Sequence, residues 1–413
     1  MMRKNTTKLL TDLRALMRQL PNNGGAVSAY IIPTDDPHQS EYISETDERR
    51  SFISGFDGSA GTAIVTQKQA LLWTDGRYHQ QAEQQLDENW TLMKDGLTTT
   101  PTMSSWLSNN LSAGDQVGVD GNLLSFREWN PLYTALSAND IQLTSIEQNL
   151  VDLIWEGHPP RQFKSIISLD LSITGKKIGD AVQLIRKEMR DKHANVLVVT
   201  ALDEIAWLMN LRGSDIDYNP VFYSYVVLTQ DELYLFVEKN QLPVGYEEHF
   251  RKNNVTVIVD EYENVQTILK DLIKKSTGKV WISPTSCYAL SALIPEKKLL
   301  HEVSPVCAMK AVKNAVEAQG IVDCHIRDGI ALCKYFAWLE DALNRGEKVD
   351  EISGATKLQG FREKLPKFAG LSFSTINGSG PNGAIIHYHP TPETNRPITL
   401  NEMYLCDSGA QFQ

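Results

Sequence analysis

The first 150 residues alternate between helical and extended patterns of apolar residues. Between Leu9 and Leu20 the apolar residues recur at i, i+3 and i+4, which predicts an amphipathic surface helix. The run AYIIP at Ala29–Pro33 contains no charged residue and predicts a buried strand, and further strands are predicted at Thr62–Thr66 and in ALLWTD. A helix is predicted to follow over residues 77–86. Strands and helices that alternate in this way are typical of an α/β domain, here reaching about residue 150.

A second segment repeats the order of elements in the first. The run NVLVVTALDEIAWLMNLRGSDIDYNPVFYSYVVLT has a strand, a Thr-x-x-Asp, an apolar helix, a Gly-Ser, a loop and a second strand. The segment that begins with AYIIPTDD has the same order of elements with similar spacing. Thr34 and Asp36 correspond loosely to Thr200 and Asp203, and Gly58-Ser59 corresponds to Gly213-Ser214. This similarity favours a duplicated α/β domain over chance.

The last hundred residues have a different order, with helices first and strands afterwards. Domain boundaries are predicted in the Pro-containing stretches Asn149–Gln162 and Pro295–Val306. A long helical pattern covers Met309–Asn344, and LSFSTI, AIIHY and MYLCDSGAQF then have strand-like patterns. The fold class predicted for the whole chain is therefore α/β followed by α+β.

Composition and charge exclude several classes of protein. Of the 413 residues, 42% are hydrophobic and 22% are charged, which excludes a largely disordered chain. A formal net charge of −11 disfavours binding to nucleic acid or to an anionic membrane. We find neither a signal peptide nor a stretch approaching the roughly 18 apolar residues of a membrane span. The five cysteines, an odd number without zinc-binding spacing, predict buried free thiols and a cytoplasmic protein.

The sequence does not support a nucleotide-binding site or any of the common catalytic motifs. Gly378-Ser379-Gly380-Pro381-Asn382-Gly383 matches G-x-G-x-x-G, but it precedes a strand-like run instead of a helix, and Pro381 lacks an N–H donor. We therefore expect a β-hairpin loop there and no nucleotide. The sequence contains no P-loop, no His-Glu-x-x-His and no Gly-x-Ser-x-Gly.

Asp407 is a candidate metal ligand. It lies in MYLCDSGAQF, where alternation places Leu405 and Asp407 on one face and Cys406 on the other. A carboxylate within an apolar strand is costly to bury unless it is paired, hydrogen-bonded or bound to a metal. The alternative is a structural aspartate that caps the turn at Ser408-Gly409.

His387 and Arg77 are the two other candidates. His387 ends AIIHY and precedes a Pro-rich loop, a common place for a functional side chain, although a single histidine can equally be structural. Arg77 follows WTDG, where Asp75 can form a local salt bridge with it.

Six segments closely resemble eukaryotic cytosolic Xaa-Pro aminopeptidases (aminopeptidase P), from the first helix to the last residue. They are FISGFDGSAGTAIVT (52–66), LLWTDGRYHQQAEQQLDENWTLMKDG (71–96), VVTALDEIAWLMNLRGSDI (198–216), NPVFYSY (219–225), GPNGAIIHYHPTPETNR (380–396) and YLCDSGAQF (404–412). The resemblance implies two creatinase-like α/β N-terminal domains, at 1–155 and 156–305. It also implies that 306–413 is the first part of a pita-bread catalytic domain, which is incomplete.

The resemblance also implies an activity and a role for each candidate. Family members remove the first residue from peptides with proline second, using two divalent metal ions, usually manganese, that share a water or hydroxide. Asp407 aligns with the first metal-binding aspartate, His387 with a histidine that contacts substrate and stabilises the tetrahedral intermediate, and Arg77 with an arginine that binds peptide. The implied partners are such peptides, with no nucleic acid and no membrane, and with a possible homodimer in the complete enzyme.

The sequence departs from the family at the metal centre. The second aspartate, the histidine and the two glutamates that complete the centre do not occur before Gln413. We therefore expect an incomplete sequence of a genuine aminopeptidase, inactive on its own and marginally folded in its third region, with an exposed apolar strand edge. The alternatives are a non-catalytic creatinase-domain binding module and, more remotely, a prolidase or creatinase-type hydrolase.

Overall fold

The computed structural model describes residues 3–20 and 25–413, which form two compact units. The first unit consists of the described residues up to Ser168 together with Ile178–Ile216 and Val221–Ala311. The second unit consists of Leu169–Lys177, Asp217–Pro220 and Val312–Gln413.

The first half of the first unit is a six-stranded mixed sheet with helices around it. Its elements are α1 (Thr7–Arg18), β1 (Ala29–Pro33), α2 (Arg49–Ser54), β2 (Thr62–Thr66), β3 (Ala70–Thr74), α3 (His79–Gln85), β4 (Trp90–Lys94), α4 (Met103–Asn110), β5 (Gln116–Val119), α5 (Phe126–Ser137) and β6 (Gln142–Ser145). The strand order is β4-β3-β2-β1-β5-β6, with β1 antiparallel to β2 and parallel to β5.

The following segment builds a second sheet of the same design. Its elements are β7 (Ile167–Ser168), α6 (Leu171–Thr174, in the second unit), α7 (Ile178–Asp191), β8 (Ala194–Val199), α8 (Leu202–Met209), β9 (Leu211–Arg212), β10 (Ser224–Thr229), β11 (Leu233–Val237), α9 (Tyr246–Lys252), β12 (Ile258–Asp260), α10 (Val265–Lys275), β13 (Lys279–Ile282), α11 (Tyr288–Ser291), β14 (Leu299–His301) and α12 (Pro305–Ala311). Its order is β12-β11-β10-β8-β13-β14, and each strand pair has the same direction as its counterpart in the first sheet. The predicted duplication is confirmed.

The central strands of both sheets are largely apolar because both of their faces are covered. In β1, Tyr30 and Ile32 pack in one core with Leu13 of α1, whereas Ile31 packs in another with Trp129 of α5. A strand buried on both faces lacks the polar alternation of a half-exposed strand. This explains why the uninterrupted apolar run at β1 correctly predicts a buried strand.

Buried polar side chains join the two sheets of the first unit. The His38 ring lies between them, with Nδ1 2.8 Å from the Thr200 carbonyl oxygen and Nε2 2.8 Å from the Tyr262 hydroxyl. Burial lowers the pKa of His38 to about 3, so the imidazole is neutral at physiological pH. The neutral ring therefore donates from Nδ1 to the carbonyl and accepts the Tyr262 proton at Nε2.

Asp47 is the charged centre of the same region. Its side chain is 0% exposed and lies 2.9 Å from Nη1 of Arg49 and 3.6 Å from Nη2 of Arg161. Arg49 also pairs with Asp152 at 2.7 Å, and the Tyr223 hydroxyl donates to Asp47 at 3.3 Å. These contacts link the two halves of the first unit and the segment that connects them around one carboxylate.

The second unit contains two long helices and two short antiparallel sheets. Its further elements are α13 (Ala315–Asn344), α14 (Glu351–Arg362), β15 (Phe368–Leu371), β16 (Ile376–Ser379), β17 (Tyr404–Asp407) and β18 (Ala410–Phe412). Strand β15 pairs with β18 and β16 with β17. The buried guanidinium of Arg362 in α14 binds both carboxylate oxygens of Asp328 in α13, at 2.7 and 3.0 Å, and so fixes the helix pair.

Helix α13 exposes several apolar side chains in the second unit. They are Val316, Ile321, Val322, Ile326, Ile330 and Phe336, each more than one third exposed. Although α13 has 30 residues, no helix among the described residues combines the length and the apolar character that crossing a membrane requires.

The segment after β16 differs from the predicted strand and β-hairpin loop, which are wrong. Gly380–Ala384 is a 3₁₀ helix, and AIIHY continues into a turn. The chain turns here because Gly378 and Gly383 meet backbone to backbone: a Cβ on Gly378 would lie 2.7 Å from the Gly383 Cα. The glycines thus permit a close approach of main chains.

Three other predictions need correction. Residues 372–375 of LSFSTI lie outside the strands, and MYLCDSGAQF is divided at Ser408-Gly409 because β17 and β18 pair with different partners. The five cysteines are free, as predicted, but only Cys287 is buried. Cys307 and Cys333 lie on exposed faces of helices, which is a tertiary property that residue counts do not contain.

Asp47→Asn is expected to destabilise the first unit by about 3 kcal/mol, because it removes the buried counter-charge of two arginines. Urea-induced unfolding followed by tryptophan fluorescence measures this, since seven of the eight tryptophans lie in the first unit. The control is Asp12→Asn, which breaks an exposed pair with Lys8 and should cost less than about 1 kcal/mol. Equal effects of the two variants would contradict the prediction.

Gly378→Ala is expected to destabilise the second unit by about 2 kcal/mol, because the methyl group would force two main chains apart. Gly329→Ala in α13 is the matched control, since a Cβ on Gly329 would meet no atom within 4 Å. It should stabilise the helix by about 0.5–1 kcal/mol. Hydrogen exchange of peptides from the second unit distinguishes the two, and stabilisation by Gly378→Ala would refute the close approach.

Candidate functional site

Asp407 lies at the end of β17, opposite Ile376 of β16. The predicted alternation is confirmed: Leu405 and Asp407 are exposed, whereas Tyr404 and Cys406 are half-buried. The inward face is held by a 2.6 Å hydrogen bond between the hydroxyls of Tyr404 and Tyr335 of α13. Asp407 is therefore exposed at the end of a strand whose opposite face is held in place by Tyr335.

The described residues do not form a complete metal centre. Across 3–20 and 25–413, no group of three or more His, Cys, Asp or Glu side chains is arranged to hold a metal ion. A divalent ion bound by protein oxygens needs several convergent ligands, and two ions need more. Asp407 by itself does not complete such a centre.

His387 lies in the turn that follows the 3₁₀ helix, and the residue is exposed. Its φ of 56° is in the left-handed region, which is uncommon for a residue with a side chain. The next residue, Tyr388, is 7% exposed, and its hydroxyl lies 2.8 Å from a carboxylate oxygen of Glu351. His387 is therefore an exposed residue in a strained backbone conformation, next to a buried anchor.

Arg77 lies in the first unit, between β3 and α3. Its main-chain N–H donates to Asp75 Oδ1 at 3.0 Å, and its guanidinium donates to both carboxylate oxygens at 2.9 and 2.8 Å. The hydrogen bond from Arg77 holds the pKa of Asp75 down at about 2. The predicted local ion pair is present, and the Arg77 side chain remains 47% exposed.

The second unit brings two of the three sequence candidates onto neighbouring elements. Strand β17, which ends in Asp407, pairs with β16, and β16 leads directly into the 3₁₀ helix and the turn with His387. A Cβ on Gly383 of that helix would lie 3.5 Å from the Cβ of Leu405 in β17. Arg77 belongs to the first unit.

The sequence analysis missed Glu351, which organises the segment around His387. Its position at the start of α14, after the N-cap Asp350, is typical of an acidic residue that complements the helix dipole. Such residues are usually exposed, so no pattern in the sequence distinguishes this buried carboxylate from an ordinary first-turn glutamate. The observation needs the tertiary structure.

Comparisons with known proteins cover the whole chain. Residues 12–153 and 157–317 match models of the creatinase/prolidase N-terminal domain, and residues 319–413 match metallopeptidase family M24. The Xaa-Pro aminopeptidase ApepP of Drosophila melanogaster is 54% identical over 413 residues, covering 100% of this chain and 67% of the relative. A probable Xaa-Pro aminopeptidase P of Laccaria bicolor is 45% identical over 99% of this chain and 63% of its own length.

A solved structure is similar over nearly the same extent. The X-prolyl aminopeptidase of Caenorhabditis elegans, described as a cytosolic enzyme with a di-nuclear active site, is 35% identical. It matches with a TM-score of 0.95 over 99% of this chain and 68% of that protein. This chain thus spans about two thirds of the length of these relatives. It belongs to the Xaa-Pro aminopeptidases, M24 metallopeptidases with creatinase/prolidase N-terminal domains.

Proposed function

We propose that the protein represented by this chain is a metal-dependent Xaa-Pro aminopeptidase, which hydrolyses the bond between an N-terminal residue and a following proline. The observation that carries the proposal is the TM-score of 0.95 with the nematode X-prolyl aminopeptidase over 99% of the chain. The duplicated N-terminal sheet also favours this activity over that of a prolidase or creatinase. We take 1–155, 156–305 and 306–413 as the domain limits.

We further propose that two divalent ions, most simply manganese, serve the active site, with Asp407 as one ligand. The di-nuclear site of the nematode enzyme supports the number of ions. The described residues of this chain do not complete such a centre, and the roles proposed below therefore concern its own side chains only. A cytoplasmic location and a homodimer are parts of the same proposal, the first supported by the cytosolic nematode enzyme.

The chemistry of the exposed candidates supports two roles toward a peptide. The His387 imidazole can donate a hydrogen bond to the oxyanion of a tetrahedral intermediate, where negative charge develops. The Arg77 guanidinium can bind a carbonyl or carboxylate group of the peptide, because it keeps a half-exposed surface while Asp75 fixes its orientation. The first role affects the chemical step and the second affects binding.

The activity is tested by joining Gln413 to the remaining third of the Drosophila relative. We expect this chimera, with manganese, to cleave a tripeptide with proline second and to leave the same peptide with alanine second intact. The 413-residue chain alone should be inactive, because its described residues do not bring the ligands of a metal centre together. A folded, metal-loaded chimera without activity would contradict the proposal and favour a non-catalytic binding module.

Variants of the chimera separate the two roles. His387→Gln should lower kcat by about 100-fold, as expected for the loss of an oxyanion donor. Arg77→Gln should raise KM by about tenfold, as expected for the loss of one charged hydrogen bond. Arg251→Gln is the matched control, since Arg251 forms a similar exposed pair with Glu248 and should leave both constants unchanged. Equal kinetics for Arg77→Gln and Arg251→Gln would exclude a binding role for Arg77.

A further inference from the structure

A single buried carboxylate holds the segment that contains His387. Glu351, the first residue of α14, is 0% exposed. Its two oxygens accept hydrogen bonds from four groups spaced along residues 379–396. These are the Ser379 N–H at 2.7 Å, the Asn382 amide at 3.1 and 3.2 Å, the Tyr388 hydroxyl at 2.8 Å and the Arg396 N–H at 3.0 Å.

The donors fix both ends and the middle of this segment. Ser379 ends β16, Asn382 lies in the 3₁₀ helix, and Arg396 lies seventeen residues beyond Ser379. The Glu351 main chain adds two further contacts, accepting from the Asn377 amide at 3.1 Å and donating to the Arg396 carbonyl at 3.0 Å. Glu351 thus holds both ends of the segment 379–396 against the start of α14.

The arrangement requires a carboxylate. An ionised carboxylate only accepts hydrogen bonds, and the groups around it donate. Oε1 receives the N–H of Ser379 and Oε2 the N–H of Arg396, and a main-chain N–H cannot reverse its direction. In a glutamine at position 351, the NH₂ group would face one of these donors whichever way the amide is turned, leaving buried donors unsatisfied.

We propose that Glu351 is a positioning residue, which acts through Tyr388 to hold the His387 imidazole in its working orientation. The inference rests on the proposed function for the role of His387. His387 keeps a φ of 56° that L-residues avoid, and such a backbone persists only where neighbouring contacts impose it. The Tyr388 hydroxyl, one residue away, is bound by Glu351 and lies 3.0 Å from Oγ1 of Thr394.

The pKa of Tyr388 is consistent with its role as a hydrogen-bond donor to Glu351. Burial, with Glu351 beside the hydroxyl, raises the pKa of Tyr388 to about 12, so the phenol keeps its proton and remains a donor. Loss of that bond would let the turn relax toward an ordinary φ and swing the His387 ring away. A displacement of about 1 Å at a reacting group is enough to lower kcat by about 100-fold.

The test observes His387 directly in the 413-residue chain labelled with ¹³C at histidine Cε1. The His387 resonance is assigned with His387→Gln and then compared in Glu351→Gln, Tyr388→Phe and Glu363→Gln. Tyr388→Phe removes one hydroxyl and keeps the ring, and Glu363→Gln changes an exposed glutamate directly after α14. We expect the resonance to move in the first two variants and not in the third, with hydrogen exchange of 380–396 about tenfold faster in Glu351→Gln.

In the active chimera, the same two variants should lower kcat by about tenfold or more and leave KM within about twofold. An unchanged His387 resonance in Glu351→Gln and Tyr388→Phe overturns the proposal, even if the loop exchanges faster. If Glu351→Gln unfolds the second unit, the resonance of Tyr388→Phe decides alone. A chimera without activity refutes the proposed function, while the resonances still decide whether Glu351 positions His387.

Discussion

A strand that is buried on both faces needs helices on both sides of its sheet, and this requirement governs the first unit. Both six-stranded sheets meet it with the same strand order and the same pair directions. Residues of β1 alternate between two cores, so that Tyr30 and Ile31 serve different sets of helices. The same α/β packing arrangement thus occurs twice, and the connecting segment joins the two copies.

The junction between these copies is polar, and its polar groups are paired. His38 is neutral because burial disfavours its charged form, which lets it bridge the Thr200 carbonyl and the Tyr262 hydroxyl of the second copy. The Asp47 carboxylate and the Arg49 guanidinium lie 2.9 Å apart and form an ion pair. A junction of this kind fixes orientation through hydrogen-bond geometry, whereas an apolar one would tolerate sliding.

The second unit differs, because its candidate residues Asp407 and His387 do not by themselves form a complete catalytic site. The Asp407 carboxylate lies exposed on a supported strand, and one carboxylate is too few for a metal centre. The His387 turn, in contrast, is strongly constrained, since Glu351 binds donors at both ends of its segment. A buried carboxylate satisfied by four donors rigidifies a loop in a way that exposed charge pairs do not.

Local patterns determined the elements that obey a single period, and they did so correctly. Such elements are the apolar run at Ala29–Pro33, the helical repeat before Leu20 and the alternation along the strand that ends in Asp407. They are predictable because burial on one or two faces imposes those periods. The resemblance of whole segments likewise identified the family. The turn at His387 was misread as a strand, because its course depends on the contact of Gly378 with Gly383 and on Glu351, which lies far from it in sequence. Such long-range hydrogen bonds leave no periodic trace, so only the tertiary structure could decide where that imidazole lies.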